Sequence, residues 1–433
     1  MPLIARHSAV YGIVFSVAVH ALVSSGPAEA GDKDAAKATA TDWPQFLGPD
    51  RNGISRETEL LNEWPLEGPP EVWRVAGGPG MSGLAIAGGR VLTLIQKSGR
   101  QSVLCLDAET GRKKWEQDLA PAYRNAMGDG PRATPTIAGD TAFVFTGEGI
   151  LAAIQVTDGK IVWQKNVVAE FGGEPAEYGM ASSPLVLGDK VIVTLGAPQA
   201  TVAAFQTKTG TVAWQARGDS PAGYSSPALL SVGGREQVVV FHGAGGLGLD
   251  PASGAELWTF PYITDFHCNI ATPVAVQGRV LLSAGENHGS VMLSLKAEGE
   301  KFAASPAWES HGAGSFLRNE WQTSILLDGY LYGIDNVGSA GPVSHLTCVE
   351  AATGKRQWQQ LRFGKSNLIA ADGKLFLSTM QGELVVVNVN PKKYEELGRK
   401  AVAAKMRQAP ALAGGLLYLR DDREIVCLDV HQR

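Results

Sequence analysis

Short apolar runs separated by glycine-containing turns make up most of the chain from residue 71 onward. The run Val91-Leu92-Thr93-Leu94-Ile95, for example, is followed by the turn Ser98-Gly99 and by another apolar run that begins at Val103. Runs of this length, bounded by glycine or polar turn residues, are typical of strands rather than helices. The 52 glycines and the charged fraction of only 19% agree with many short strands joined by tight turns. The pattern therefore predicts an all-β chain.

A second pattern, Gly-x-x-x-Trp, repeats along the chain at a nearly constant interval. Successive tryptophans of this series lie 42 to 51 residues apart. A period of this length indicates a repeat architecture, in which each unit buries its apolar surface against its neighbours. We predict that these tryptophans are structural and seal each unit onto the next. The series comprises Trp73, Trp115, Trp163, Trp214, Trp258, Trp308 (a degenerate copy of the motif) and Trp358.

Each repeat contains four predicted strands. A small-Ser/Thr-Pro start, as in Ala133-Thr134-Pro135, opens the first strand, and a glycine turn leads to the second. The third strand ends in Leu-Asp or its equivalent, and the fourth carries the tryptophan. Four short strands per repeat predict an eight-bladed β-propeller of four-stranded antiparallel blades. The eight units start near Ser82, Ala133, Ser182, Ser225, Ala271, Gln322, Asn367 and Ala409.

The two ends of the predicted ring complete each other. The last unit stops near Val430, where its tryptophan strand would begin, whereas Glu71–Val75 is an isolated strand that carries Trp73. Because a ring has no free edge only when its first and last blades pair, we predict that this segment closes the eighth blade and that the propeller spans 71–433. Residues 31–70 are predicted to form a polar lead-in, ordered at most from Trp43 and removable as far as residue 66. Lys392–Lys405, in the unit that has lost its tryptophan, is predicted to be partly helical.

The first thirty residues have the pattern of a signal peptide. A short basic start at Arg6 precedes the apolar stretch Ser8–Val23, and Ala28-Glu29-Ala30 fits a cleavage site. The apolar stretch is shorter than the roughly 20 residues of a membrane span. We therefore expect cleavage after Ala30, a periplasmic or secreted protein, and no membrane span after cleavage. No cysteine follows the segment closely, so no lipid attachment is expected.

Charge and cysteine content exclude some classes of protein. The formal net charge is −5 and no long basic run occurs, so a nucleic-acid partner is not expected. The four cysteines show no C-x-x-C spacing. Cys105, Cys348 and Cys427 occupy one repeat position and are interpreted as small buried fillers. A disulfide stays open as an alternative, no metal site is predicted, and the chain is expected to be a monomer.

The repeat resembles the pyrroloquinoline-quinone (PQQ) propeller repeat over residues 71–433. The resemblance is carried by Leu106-Asp107-Ala108-Glu109-Thr110-Gly111 with Trp115, and Trp43–Pro49 is similar to the lead-in of exported bacterial PQQ-binding-like repeat proteins. One branch of this family, the quinoprotein dehydrogenases, holds PQQ and Ca²⁺ above the propeller axis. Another, BamB, is a lipid-anchored scaffold in outer-membrane protein assembly. The sequence lacks the adjacent cysteines of many dehydrogenases, a match to their Ca²⁺ ligands, and the anchoring cysteine of BamB.

Unusual polar residues concentrate in the segments that enter the innermost strand of each predicted blade. These segments meet round one mouth of a propeller channel, so their polar and aromatic side chains predict a binding site there. Histidine and arginine together favour a polar or anionic ligand. Four of the candidates, His267, His288, Arg318 and Asn319, lie in loops of blades four to six, and their replacement by alanine is expected to change stability by only about 0.5 kcal/mol or less. The candidates in these segments are Arg124, Asp129, Glu177, Tyr178, Asp265, His267, Asn269, Arg318, Asn319 and Trp321, and the middle-strand turns of the same face add His288 and Asp335.

Signatures of several enzyme classes are missing. The sequence contains no H-E-x-x-H, G-x-S-x-G or Walker pattern. Gly243–Gly248 fits G-x-G-x-x-G, but another strand motif follows it instead of a helix, so we interpret it as a blade turn. The first functional hypothesis is a non-catalytic binding or scaffold propeller of the periplasm or envelope, with an envelope protein or a polar or anionic small ligand as partner and no cofactor. The alternative is a PQQ-dependent oxidoreductase, with Ca²⁺, acting on an alcohol or sugar. A hydrolase or lyase acting on polysaccharide also stays open.

Overall fold

The computed structural model describes residues 41–338 and 343–432, which form eight four-stranded antiparallel sheets. The predicted signal peptide lies outside the described residues. Each sheet is one blade, and its strands follow the chain from the innermost to the outermost position, except that the outermost strand of the eighth blade comes from the N-terminal side of the ring. The predicted eight-bladed propeller is therefore confirmed.

The first four blades follow one another along the chain, after the closing strand β1 (Glu71–Ala76). Blade 1 consists of β2 (Ala85–Ala87), β3 (Arg90–Lys97), β4 (Arg100–Asp107) and β5 (Lys113–Pro121). Blade 2 consists of β6 (Thr136–Ala138), β7 (Thr141–Phe145), β8 (Ile150–Gln155) and β9 (Ile161–Asn166). Blade 3 consists of β10 (Leu185–Leu187), β11 (Lys190–Ala197), β12 (Ala200–Gln206) and β13 (Val212–Ala216). Blade 4 consists of β14 (Ala228–Val232), β15 (Arg235–His242), β16 (Gly245–Leu249) and β17 (Glu256–Pro261).

The remaining blades complete the ring. Blade 5 consists of β18 (Val274–Val276), β19 (Arg279–Ala284), β20 (Gly289–Glu298) and β21 (Lys301–His311). Blade 6 consists of β22 (Ile325–Leu327), β23 (Tyr330–Val337), β24 (Val343–Glu350) and β25 (Arg356–Gln360). Blade 7 consists of β26 (Ser366–Ala371), β27 (Lys374–Thr379), β28 (Glu383–Asn388) and β29 (Glu396–Ala401). Blade 8 consists of β30 (Ala411–Ala413), β31 (Leu416–Arg420), β32 (Glu424–Asp429) and β1.

The repeated tryptophans lie at the seams between blades. Trp115 in blade 1, for example, donates its indole N–H to the carbonyl of Val156 in blade 2 at 3.0 Å. A Cβ at Gly159 of blade 2 would lie 2.7 Å from the ring of Trp115, so the glycine of the motif leaves room for the tryptophan of the preceding blade. The same N–H to carbonyl bond to the next blade is made by Trp73, Trp163, Trp214, Trp308 and Trp358. Each of these indoles therefore joins two blades.

Trp258 differs from the others in its hydrogen bond. Its indole N–H donates to the side-chain oxygen of Gln237 in its own blade at 2.7 Å. The next blade has an extended hairpin, β20–β21, where blades 1 to 4 and blade 6 have the short turn of the Gly-x-x-x-Trp motif. Trp258 therefore uses the side chain of Gln237 in blade 4 as its acceptor, whereas the other indoles use a backbone carbonyl of the next blade.

The strand position opposite each tryptophan holds a small or flexible residue. Cys105, Cys348 and Cys427 pair with Trp115, Trp358 and Trp73, respectively, across the two outermost strands. All three cysteines are completely buried and carry free thiols. Their predicted role as small buried fillers agrees with this placement.

The segment predicted to be partly helical contains a strand and no helix. Its residues Glu396–Ala401 form β29, which pairs antiparallel with β28 from Glu383 to Val387. The prediction of helix is wrong because the fourth position of blade 7 still requires a strand to cover β28, with or without a tryptophan. In the described part of the chain, the helices are α1 (Val167–Glu170) and two single 3₁₀ turns, Asp265–His267 and Gly312–Gly314. None of these is long and apolar enough to cross a membrane.

Residues 43–60, here called the N-terminal plug, run across one end of the central channel. Trp43 pairs with Ile86 in the innermost strand of blade 1, and Ile54 pairs with Ala370 in the innermost strand of blade 7. Trp43 and Leu60 are 2% and 1% exposed, respectively. The plug thus packs into the folded ring, so we expect that removing residues 1–66, which the sequence predicted to be tolerated, uncovers these core contacts and lowers stability.

Candidate functional site

A cavity of about 510 Å³ lies on the propeller axis. Its walls are the connections that enter the innermost strands of all eight blades, and the plug residues Trp43, Phe46 and Leu47 lie along it. We call this cavity the axial funnel. Its volume falls within the range of roughly 300–1,000 Å³ that small-molecule sites occupy.

Aromatic side chains form one part of the funnel wall. The rings of Tyr178 and Tyr224 stack with centroids 5.7 Å apart, and Phe266 lies 6.3 Å from Tyr178. Phe266 is 60% exposed and, like His267, has a positive φ, a conformation that non-glycine residues adopt only at a cost. Such strain concentrates at functional sites. The structure therefore holds an exposed ring at the mouth of the funnel at the expense of backbone energy.

Four buried hydroxyl groups, here called the hydroxyl belt, also line the axial funnel. Each hydroxyl oxygen accepts a backbone N–H from the preceding blade, as Ser183 does from Thr134 at 3.0 Å. The belt residues are only 2–7% exposed, and in the described structure none of their O–H groups donates to a protein acceptor. The belt therefore offers hydrogen-bond donors to the cavity. It consists of Thr134, Ser183, Ser226 and Thr323.

Two guanidinium groups lie on the side of the funnel next to blade 1. Arg407 donates from Nη1 to the carbonyl of Met127 at 2.7 Å, and its buried Nε has no partner. Arg132 donates to three backbone carbonyls and lies 4.6 Å from the ring centroid of Tyr123. Burial lowers the pKa of Arg132, and repulsion from Arg407 adds to this effect. Within the described residues, neither guanidinium forms an ion pair with a carboxylate.

The other side of the funnel carries carboxylates. Glu320 forms a half-buried ion pair with Lys365 at 2.8 Å, and the Lys365 ammonium lies 4.8 Å from the ring centroid of Trp321. Burial raises the pKa of Glu320, an effect that Lys365 opposes and that repulsion from Glu286 increases. The funnel is thus electrostatically divided, with unpaired cations on one side and Glu286 and Glu320 on the other.

The twelve candidates predicted from the sequence occupy four kinds of position. Tyr178, His288 and Trp321 line the funnel. Glu177 and His267 lie in a groove beside it, and Arg124, Asp129 and Asp265 are exposed and do not line it. The remaining four, which are buried behind the funnel wall, are Asn269, Arg318, Asn319 and Asp335.

The buried candidates hold the connections in place. Arg318 and Asp335 form a bidentate ion pair, with N–O distances of 2.6 and 2.8 Å, and are 3% and 1% exposed. Asn319 donates to the carbonyl of Ile334, and Asn269 donates to the carbonyls of His242 and Tyr262. The expectation that alanine at Arg318 or Asn319 would hardly change stability is therefore wrong, because each side chain satisfies buried polar groups.

Several groups that line the funnel escaped the sequence analysis. The belt hydroxyls stand at the residue before proline in three of the four cases, a repeated position that the sequence analysis interpreted only as the start of a strand. Arg407 and Lys365 lie in connections whose length and composition gave no sign of their importance.

The comparisons with known proteins agree with this architecture. A family model described as "Outer membrane protein assembly factor BamB" matches residues 69–170 and 99–360, more than half of the chain. The BamB of Moranella endobia is 24% identical over 59% of this chain and 63% of its own length. The quinoprotein ethanol dehydrogenase of Pseudomonas aeruginosa is 26% identical over 34% of this chain and 26% of its own length. The structure of the quinohemoprotein alcohol dehydrogenase from Comamonas testosteroni has a TM-score of 0.68 at 14% identity, covering 93% of this chain and 82% of that one.

The ring and its axial cavity define a repeat propeller with a site at the centre of one face. The family match then shows its membership: the chain belongs to the PQQ-like β-propeller repeat family and is related to BamB and to the quinoprotein alcohol dehydrogenases. The resemblance that the sequence analysis stated is confirmed. The chain matches less than two thirds of the length of either relative, so the activities of those proteins are not thereby established for it.

The funnel residues do not fit a Ca²⁺–PQQ pair. Calcium requires several oxygen ligands directed at one point. Of the two funnel carboxylates, Glu320 has both oxygens within 2.9 Å of the Lys365 ammonium, which leaves Glu286 without a second carboxylate as a partner ligand. The described residues contain no group of three or more His, Cys, Asp or Glu that could hold a metal ion. We therefore derive no redox step for this site.

Proposed function

We propose that this chain is a non-catalytic binding protein of the bacterial cell envelope that takes a polar small ligand into its axial funnel. The hydroxyl belt carries the proposal, because four buried O–H groups face a cavity with no protein acceptor. Buried polar groups are normally satisfied, so a repeated set of unused donors supports a ligand that accepts from them. The relatives named as outer membrane assembly factors support the envelope location.

The nucleophilic groups of the funnel support binding rather than catalysis. A catalytic serine or threonine needs a neighbouring base that accepts its proton. The belt hydroxyls instead have backbone N–H donors as neighbours. Cys268 also lines the funnel, but burial raises the pKa of its thiol to about 12, whereas reactive cysteines have a lowered pKa.

Filling the funnel should abolish ligand binding without unfolding the ring. Ala181 is a half-buried residue of the funnel wall, so Ala181→Trp places an indole in the cavity. Thermal unfolding would be followed with a panel of monosaccharides, sugar acids, amino acids, dicarboxylates and nucleotides. A compound at about 100 times its Kd stabilises the folded state by about 2.7 kcal/mol. At least one compound should raise the Tm of the wild type and not that of Ala181→Trp.

The matched control is Ala252→Trp, which adds the same indole to an exposed turn outside the funnel. This variant should keep the full ligand-induced rise in Tm. The proposal fails if no compound of the panel stabilises the wild type, or if Ala181→Trp is stabilised as much as Ala252→Trp.

The protein should not retain PQQ when it is incubated with PQQ and Ca²⁺. The reason is the lack of converging oxygen ligands for calcium among the funnel side chains. The measurement is the absorption spectrum and intact mass after gel filtration, with and without Ca²⁺. Stoichiometric quinone that depends on calcium, or dye-linked alcohol oxidation above background, would favour the oxidoreductase alternative.

A further inference from the structure

We infer that the ligand of the axial funnel is an acidic saccharide, a sugar ring that carries a carboxylate or a sulfate. This inference rests on the proposed binding function and names its ligand class. It combines three independent features of the funnel: the hydroxyl belt, the unpaired guanidinium groups and the aromatic wall.

The hydroxyl belt fits a ligand that has many oxygen atoms. Each belt hydroxyl already accepts one backbone N–H, so its proton can be donated into the cavity. The four belt residues come from blades 2, 3, 4 and 6, so their donors point into the cavity from several directions. Ring and hydroxyl oxygens of a sugar are distributed round the ring in a comparable way, whereas a ligand with one polar end would satisfy only part of the belt.

The guanidinium groups add a preference for negative charge. Arg132 and Arg407 line the funnel close enough to repel each other, and neither has a carboxylate partner among the described residues. Beneath the belt, the buried Arg51 of the plug donates to the carbonyls of Ser183 and Pro184 and likewise forms no ion pair. An anion bound beside Arg407 would place a countercharge next to these guanidinium groups, and Nη2 of Arg407 offers N–H donors that carboxylate and sulfate accept.

The aromatic wall and the opposite carboxylates fit the remainder of a sugar. Flat apolar rings such as Tyr178 and Tyr224 can pack against the C–H face of a pyranose, as aromatic residues do with amphipathic ligands generally. Glu286 and Glu320, across the funnel from the arginines, can accept from sugar hydroxyls. A purely anionic ligand such as a dicarboxylate would face these carboxylates with its second charge, whereas an acidic sugar presents neutral hydroxyls to them.

The test is calorimetric titration of the full chain with galacturonate, glucuronate, galactose, glucose and galactose 6-sulfate. The acidic sugars should bind at least about tenfold more tightly than galactose or glucose, since one charge-assisted pair contributes that much. Arg407→Gln should lose about tenfold or more in affinity for the acidic sugars and change the neutral sugars by about twofold or less. Arg356→Gln, at an exposed position on blade 6, is the matched control and should leave every affinity unchanged.

The belt is tested separately at Ser226. Ser226→Ala removes one O–H donor and should weaken acidic and neutral sugars by a similar factor, whereas Ser226→Thr should retain binding, because threonine occupies the equivalent position in other blades. Circular dichroism and thermal melting show whether each variant is folded. Arg407→Lys, which keeps the positive charge, should recover part of the affinity for acidic sugars that Arg407→Gln loses. The titration with galactose 6-sulfate shows whether the site binds a sulfate as well as a carboxylate.

Three results would overturn the inference. If the acidic sugars do not bind but another class of the panel stabilises the wild type and not Ala181→Trp, the saccharide assignment is wrong and the funnel remains a binding site. If acidic sugars bind with no dependence on Arg407 or Ser226, the site lies elsewhere. If nothing in the panel binds, the proposed function itself fails.

Discussion

Replacing Trp73 with alanine should lower the free energy of unfolding by about 3–5 kcal/mol, as expected for a large aromatic residue in a core. Trp73 is 7% exposed and lies in β1, the outermost strand of blade 8. Its indole N–H donates to Ala108 of blade 1 at 2.9 Å, and its ring packs against Gly111 of the same blade. The side chain therefore joins the two ends of the ring as well as covering the eighth blade. Denaturant unfolding at equilibrium, followed by tryptophan fluorescence and circular dichroism, would measure the loss.

Truncated chains distinguish the contribution of the closing strand to stability from that of the plug. A chain that begins at residue 43 keeps Trp43 and every plug contact and should unfold as the full chain does. A chain that begins at residue 67 keeps β1 but loses the plug and should be less stable. A chain that begins at residue 81 lacks β1 and exposes the edge of β32, so it should aggregate or fail to fold. A soluble, monomeric and cooperatively unfolding chain starting at residue 81 would contradict this closure.

Arg318→Ala should also cost about 3–5 kcal/mol, because it leaves the carboxylate of Asp335 buried without its countercharge. Asp335 would retain only the backbone N–H of residue 318 and the amide of Gln359, at 3.1 Å each. Within the connection that enters blade 6, the variant would also lose the hydrogen bond that Arg318 donates to the carbonyl of Ala313 at 3.2 Å. Chemical denaturation of the purified variant measures the effect.

Two controls distinguish burial of the charge from loss of the arginine as such. Arg56 forms an ion pair with Asp50 at 2.7 Å, but both side chains are exposed, so Arg56→Ala should cost about 1 kcal/mol or less. The double variant Arg318→Met, Asp335→Leu removes both charges and should be more stable than Arg318→Ala. A loss at Arg318 no greater than that at Arg56 would show that the pair is not buried in solution.

The fold could be predicted from the sequence because its determinants are local and repeated. The Gly-x-x-x-Trp motif fixes one turn and one contact between blades in most units. The strand positions inferred for one repeat therefore apply to most of the ring. The same regularity predicted the closing role of Glu71–Val75. It failed at Lys392–Lys405, where no tryptophan marks the fourth strand and pairing with β28 alone determines the structure.

The site could be predicted only in part, because a loop sequence does not show which way its side chains point. Arg318 looks like an exposed loop residue until Asp335, on the adjacent strand, is placed beside it. Tyr178 and Trp321 were found because aromatic residues in a polar loop stand out, whereas Ser183 and Ser226 are common residues in an ordinary strand start. The contacts of the plug with both blade 1 and blade 7 depend on the closed ring, which no local pattern contains.

The most direct measurement of the central claim uses Cys268 as a reporter of the axial funnel. Cys105, Cys348 and Cys427 are completely buried, so Cys268, which lines the funnel, is the thiol that should react in the folded protein. With its pKa raised to about 12 by burial, its reaction with a disulfide reagent should be slow and should accelerate about tenfold for each unit of pH between 7 and 9, because the thiolate is the reactive form.

A panel compound that raises the Tm of the wild type should slow this reaction in proportion to its occupancy of the funnel. The control is the double variant Cys268→Ser, Lys208→Cys, which moves the reporter to an exposed outer turn and should react at the same rate with and without the compound. Protection of Cys268 with no protection at position 208 is the result that the account predicts. A compound that stabilises the protein yet leaves the reaction of Cys268 unchanged would place the binding site outside the funnel and contradict it.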